Sequence, residues 1–358
     1  MINKDVAIIG AGVAGLEAAF VLSAAGYDVV LIEKEKEPGG HVRQWSHLFP
    51  SKRSAIEVYN SLKEKIDQKV MCKYGAIIAG IKQLGKGFEV NLQEGPIINT
   101  GSVLITTGFS LFDARRKEEY GYGIYDNVIT SAELEKRFKS GVSIRTDRGK
   151  IPAKIGIVHC VGSRDEKMGN CYCSAVCCIT GVKQAVELRK ELPETEVFNF
   201  YMDLRLHGNH YEALYREAQE KWGIQFIRGR LSEAAETQGG ALRIKVEDTL
   251  IGRPLGITVD MLVLLAGMEP SADTATIRQM LGVEINEDGF FNQADEHLKA
   301  NWTNIQGVFV AGTCTGPKCI KETLADARSA ACEIDRYLKE RISENKFQNT
   351  IINERLGI

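Results

Sequence analysis

Several features common in redox, nucleic-acid-binding and membrane proteins are missing from this chain. None of its nine cysteines lies in a C-x-x-C pair. That removes the usual spacing of a thiol–disulfide active site. G-x-G-x-x-G occurs once, near the N-terminus, and is not repeated where a second nucleotide-binding domain would carry it. No long basic run is present and the net charge is −2, which argues against a nucleic-acid partner. The purest apolar run, Met261–Met268, falls far short of the roughly 18 residues of a spanning helix, so no direct membrane insertion is expected. The first residues enter a strand-like run without the cleavage site of a signal peptide, so a cytoplasmic location is expected. There is no internal repeat or low-complexity tract.

With 358 residues, 44% hydrophobic and 26% charged, the chain has an ordinary globular composition. It is long enough for two domains with full cores. Cysteines are then not needed as staples. Nine thiols in a reducing compartment point to metal or redox chemistry.

Residues Asp5–Glu35 read as strand, turn, helix and strand. Asp5–Ile9 is an apolar run suited to a buried parallel strand. Gly10, Gly12 and Gly15 follow, then Leu16–Ala25 with helical spacing, then the strand Tyr27–Ile32 ending in Glu33. Gly10 permits the tight turn, Gly12 lets a pyrophosphate approach the backbone, and Gly15 lets the helix pack close to the strand. Glu33 lies 18 residues beyond Gly15, a spacing that suits a ribose hydroxyl pair. The whole unit predicts dinucleotide binding.

Two later stretches, Gly101–Ser110 and Asn304–Ile334, look like returns to the same domain, which would make it discontinuous. Between them, Ile155–Cys160 opens a second α/β unit. Helices Ser174–Lys190 and Tyr211–Trp222 are expected there, alternating with strands Val197–Tyr201, Gln225–Arg228 and Met261–Leu265.

Five cysteines fall within His159–Cys178. Cys160 ends a predicted strand. Cys173 is expected at the start of a helix, with Cys177 one turn later on the same face and Cys178 ~100° further round. Four thiolates converging there suit a 4Fe–4S cluster. Zinc accepts the same ligands, although adjacent cysteines fit C-x2-C knuckles poorly. A disulfide or inert packing is the third reading.

Taken together, the N-terminal fingerprint, "PGGHVRQWSHLFP", "CVGSRDEK…YCSAVCC" and "FVAGTCTGPKCI" resemble the A subunit of heterodisulfide reductase and its relatives. These relatives include the A-subunit-like proteins of bacterial sulfur-oxidising complexes and the A subunit of the quinone-interacting membrane-bound oxidoreductase. The resemblance covers nearly the whole chain. It implies an α/β, thioredoxin-reductase-like two-domain flavoprotein. Residues 1–125 and 286–340 would form a Rossmann-type FAD domain. Residues 126–285 would be an inserted, degenerate nucleotide-binding-like domain with the cluster motif, and 341–358 a tail. It further implies FAD, one 4Fe–4S cluster, a homodimer, and partners resembling the B and C subunits of heterodisulfide reductase. The methanogen protein's ferredoxin-type segments and extra N-terminal domain are missing from this sequence, so the shorter bacterial type is expected, without flavin-based bifurcation.

By that resemblance, Gly10, Gly12, Gly15 and Glu33, with Lys34 beside it, would hold the ADP half of FAD. Gly39, Gly40 and His41 would lie along the pyrophosphate and flavin. Thr107 and Gly108 would form a second contact strand, and Gly312 and Thr313 the ribityl turn, where many relatives of the wider fold have an aspartate. Lys318 and Ile320 would lie near the flavin ring. Cys160, Cys173, Cys177 and Cys178 would be the cluster ligands, and Lys183 a catalytic cation near flavin N5. Cys319 stands where many relatives have an acidic residue.

The remaining chemistry-bearing residues have plainer readings. Cys171 is expected to be a loop thiol near the cluster, Cys314 a small buried residue, and Cys72 and Cys332 core. His159 should face away from Cys160 and pack. Arg164 is balanced between a cofactor contact and a salt bridge. Glu33–Glu37 reads as a charged turn, and His207–His210 as a weak metal signal. The expected function is electron transfer within a multi-subunit complex of sulfur metabolism. The quinone-linked type and a stand-alone NAD(P)H-dependent disulfide reductase are the alternatives.

Overall fold

The computed structural model describes residues 1–66 and 69–356, with side chains as far as residue 343. The chain divides into two compact units. One comprises 1–42, 59–109 and 270–358, and the other 43–58 and 110–269. These bounds differ from the expected 1–125, 126–285 and 286–340. Residues 270–285 join the first unit, 110–125 the second, and so does the short excursion 43–58. Its ties there include Lys52 to Glu217 at 2.8 Å and the Ser46 amide to Glu135 at 3.1 Å. Such long-range pairs leave no mark on local sequence.

The first unit is built on a sheet ordered Met71–Tyr74, Val29–Glu33, Ile2–Ile9, Ile98–Ile105, Gly87–Leu92 and Ile78–Leu84. Val308–Val310 pairs in parallel with the second half of Ile98–Ile105, whose first half pairs antiparallel with residues 88–90. The central strands are apolar on both faces, as a sheet covered on both sides requires. Ile9 is in register with both Ile32 and Ile105. The carboxyl ends of three parallel strands therefore finish together, just before Gly10. Helix Val13–Ala24 packs against helix Ile320–Leu356. The expected tail, 341–358, continues this second helix to Leu356. Side chains beyond residue 343 lie outside the described residues.

The second unit holds a parallel five-stranded sheet ordered Val128–Thr130, Met261–Ala266, Lys154–Val161, Glu196–Tyr201 and Gln225–Arg228. Helix Cys177–Glu191 buries Ile179, Val182, Ala185 and Val186 in the core that also contains Ile155, Ile157 and Val263. A separate antiparallel sheet, Leu231–Glu236, Leu242–Asp248 and Arg253–Val259, was not expected. Its inward side chains alternate with exposed ones, the period-2 pattern of a half-buried sheet.

Candidate functional site

The glycine loop follows the strand Ile2–Ile9, and three residues separate that strand from helix Val13–Ala24. Each glycine has a distinct job. Gly10 has φ +104°, and a Cβ there would lie 2.5 Å from the Thr106 carbonyl oxygen. A Cβ on Gly15 would lie 1.9 Å from the Gly10 carbonyl oxygen, so the helix could not approach. A Cβ on Gly12 would meet no protein atom within 4 Å. Gly12 is thus not demanded by packing. It borders open space at the helix N-terminus, where an anionic group is favoured.

Glu33 sits at the end of its strand and accepts the Ala11 amide at 2.7 Å and the Glu35 amide at 2.9 Å. It braces the glycine loop. The Gly39 amide reaches back to the Ala11 carbonyl at 2.7 Å. Gly40 has φ +52° and faces Gly12. His41 stacks on Phe109 with ring centroids 4.3 Å apart, and its Nε2 is 3.0 Å from the Phe109 carbonyl. Lys34 forms an exposed pair with Asp273 at 2.7 Å.

The expected strand Gly101–Ser110 is broken after Ile105, so Thr107 and Gly108 lie in irregular chain before the short strand Phe109–Leu111. The Thr107 hydroxyl is buried without a hydrogen-bond partner. Gly108, at φ +71°, faces Thr313. Gly312 donates its amide to Asp326 at 2.8 Å. Lys318 turns back onto this loop, to the Gly312 carbonyl at 3.1 Å, to Thr315, and to Asp326 at 3.0 Å. Ile320 opens the long helix. Cys314 is buried and donates to the Ile105 and Ala311 carbonyls, and burial pushes its thiol up to about 12. It is a packing residue. Cys332 is exposed and Cys72 only half-buried, contrary to the core positions expected. Cys332 lies on an outer face of helix Ile320–Leu356, which buries Ala327, Ala330, Ala331 and Ile334 instead.

In the second unit, fifteen residues separate strand Lys154–Val161 from helix Cys177–Glu191. The tight turn of a dinucleotide loop is replaced by a thiol-bearing segment. The expected helix start near Cys173 is corrected. Cys173 lies in irregular chain, and Cys177 and Cys178 open the helix. The cause is Ala175, held at φ +57°. At the other side, the strand carries a register shift between Val158 and Val161, and Cys160 has φ +57°. A bulge of this kind re-aims side chains.

All four thiols lie within electrostatic reach of one another. A hydrogen bond from Cys177 holds the Cys160 thiol down to about 7, with Arg164 adding to the effect against burial. Accordingly Cys177 is pushed well up, and burial raises Cys178 to about 11. Backbone amides point at sulfur: Ala175 to Cys173 and Arg205 to Cys178, both at 3.4 Å. Cys171 is exposed. Among the described residues, no set of three or more His, Cys, Asp or Glu side chains stands arranged around a single-ion site. The donor set nonetheless fits an iron–sulfur cluster: four thiols, sulfur-directed amides and a helix N-terminus.

A family model described as NAD(P)-binding Rossmann-like domain matches residues 8–78. One described as pyridine nucleotide-disulphide oxidoreductase matches residues 177–333. The chain is 33% identical to the iron–sulfur A subunit of CoB–CoM heterodisulfide reductase from Methanocaldococcus jannaschii, over 93% of the chain and 64% of that relative. It is 32% identical to the A subunit of the H2/formate:CoB–CoM heterodisulfide, ferredoxin reductase of Methanococcus maripaludis, with the same coverage. The chain is thus similar over most of its length to heterodisulfide reductase A subunits. It spans a little under two thirds of the length of these relatives. The thioredoxin reductase of T. acidophilum shares its fold, with a TM-score of 0.66 and 18% identity over 95% of this chain and 99% of that one. The bacillithiol disulfide reductase of Bacillus cereus follows, at 0.61 and 16% over 95% and 99%.

The remaining residues expected from the resemblance to heterodisulfide reductase A subunits are tied into the second unit. Lys183 is buried, ion-paired with Glu135 and, at 3.1 Å, with Glu187, and it donates to the His47 carbonyl at 2.8 Å. Burial raises Glu187 to about 7. Arg164 pairs with Asp203 at 2.7 Å and lies beside the thiols. His159 is buried against Asn199 at 2.8 Å, away from ligation. His207 and His210 are exposed. Sequence reasoning missed Glu135, Glu187, Asp203 and Asp326. Glu135, Asp203 and Asp326 act through partners at least fourteen residues away, and only Glu187, one turn beyond Lys183 on the same helix, carried a local signal.

Proposed function

We propose that this chain is an FAD- and 4Fe–4S-containing electron-transfer subunit of a heterodisulfide-reductase-like complex in sulfur metabolism. Thiol, disulfide or sulfane-sulfur chemistry is assigned to partners resembling the B and C subunits of that reductase. The observation that carries the reading is the contrast between the two strand ends. One opens into a glycine loop with free space at Gly12. The other opens into four neighbouring thiols. The same contrast disfavours a stand-alone NAD(P)H-dependent reductase, since the second unit has no comparable loop for a pyrophosphate.

Bound FAD exchanges electrons singly or in pairs, and a 4Fe–4S cluster exchanges them singly. The chain's own residues bind and orient. Gly10, Gly12 and Gly15 admit the pyrophosphate, and Glu33 holds the loop in shape through the Ala11 amide. The unpartnered Thr107 hydroxyl and the Gly312–Thr313 turn offer polar contacts for the rest of FAD. Cys160, Cys173, Cys177 and Cys178 are assigned as cluster ligands.

Anaerobic purification with an absorption spectrum and iron, sulfide and flavin quantification tests this. About four irons and one FAD per chain are expected. Cys173→Ala should lose the iron and keep the flavin. Zinc, or flavin without iron, overturns the proposal.

A further inference from the structure

Among the groups around the thiols, Arg164 stands apart. It has φ +53°, a left-handed conformation that L residues other than glycine rarely adopt. Its guanidinium lies beside Cys160 and Cys173 and its side chain is only 20% exposed. Nη2 donates to Asp203 at 2.7 Å, while Nη1 is buried and has no hydrogen-bond partner. An arginine placed only to brace the fold would be expected to satisfy that nitrogen.

Asp203 is itself bound to the thiol site. Its carbonyl accepts from Cys178 at 3.5 Å, and two residues on, the Arg205 amide donates to the same sulfur. The Asp203 carboxylate also receives Arg228 at 3.4 Å. One carboxylate is therefore shared by two guanidinium groups, so it does not neutralise Arg164 alone.

We propose that Arg164, clamped by Asp203, is the fixed counter-cation that sets the reduction potential of an iron–sulfur cluster on Cys160, Cys173, Cys177 and Cys178. This rests on the reading of those thiols as cluster ligands. A guanidinium stays charged at every relevant pH, so the effect involves no titration. Each electron taken up adds one negative charge at the site. A fixed cation nearby stabilises the reduced state more than the oxidised one, and partial exclusion of water strengthens the difference. Arg164 therefore raises the potential. Asp203 is a positioning residue.

The test is an anaerobic potentiometric titration with dithionite as reductant, followed by electron paramagnetic resonance of the reduced cluster. Arg164→Gln should lower the midpoint by at least a tenfold change in the reduction equilibrium, 59 mV for a one-electron couple. Arg164→Lys should shift it by less than half as much. Asp203→Ala should lower it as well, because the guanidinium is released. Simple loss of a negative charge would raise it, and a rise overturns the clamp. An iron-loaded Arg164→Gln protein with unchanged midpoint overturns the proposal. So does loss of iron from both Arg164 variants, since the residue would then build the site rather than tune it. If iron is lost from Arg164→Gln alone, the Arg164→Lys midpoint decides: a fall supports the proposal and an unchanged value overturns it. Wild-type protein without iron would instead sink the reading of the thiols on which the proposal stands.

Discussion

One oxygen of Asp326 accepts the Gly312 amide at 2.8 Å, and the other accepts the Asn301 side chain at 2.7 Å. Lys318 completes the arrangement at 3.0 Å. A single carboxylate on the long helix thus fixes the turn that closes the flavin candidate site. Asp326→Ala strands a backbone amide and an ammonium. Hydrogen bonds to charged groups are worth about 1.5–3 kcal/mol each, so stability should fall by roughly that amount. The flavin-to-protein ratio after purification should fall with it. Thermal unfolding and a visible spectrum check both.

Gly12 and Gly15 should separate binding from folding. Gly12 has φ −73°, and its missing Cβ faces no protein atom within 4 Å. Gly12→Val should leave the Tm of flavin-free protein nearly unchanged and weaken FAD binding at least tenfold. Gly15→Val puts carbon into the Gly10 carbonyl and should cost more than about 4 kcal/mol, failing to fold whether FAD is present or not. Equal behaviour of the two variants in a flavin-fluorescence titration would argue against this division.

Lys183 is only 2% exposed and stands between two carboxylates. Lys183→Met leaves Glu135 and Glu187 without their cation. Breaking a buried pair from one side costs about 3–5 kcal/mol. Adding Glu135→Gln should recover much of that loss in urea unfolding. Any fall in turnover of the single variant therefore has to be set beside its folded fraction.

His159 supplies a pH signature. Burial lowers its pKa from 6.5 to about 4. A base with a depressed folded-state pKa contributes stability that is full above 6.5 and is lost as pH falls through 4. The contribution is about 3 kcal/mol. The Tm should drop over that window, and His159→Gln should flatten this part of the profile.

The glycine loop was legible because its three glycines and Glu33 fall within thirty residues of sequence, with Gly10 and Gly15 fixed by close backbone approach. The thiol ligand candidates were legible by count and spacing. The conformation that gathers them was not, since φ +57° at Cys160 and Ala175 is carried by residues with no special preference for it. The same holds for the excursion 43–58. Its Ser46 and Lys52 find partners at Glu135 and Glu217, far along the chain. Asp326 was missed for a related reason. Its carboxylate reaches the Gly312 turn from the following helix, fourteen residues further along the chain.

The strand Val308–Val310 enters the first unit's sheet beside Ile98–Ile105, and the Gly312 turn follows it. During synthesis the glycine loop therefore emerges about three hundred residues before its closing wall. Until then the nascent sheet has an uncovered edge at residues 103–105, and the dinucleotide cleft lacks one side. Cofactor capture is thereby coupled to the emergence of the strand Val308–Val310. A chain stalled before residue 308 would carry the fingerprint without the means to retain its ligand.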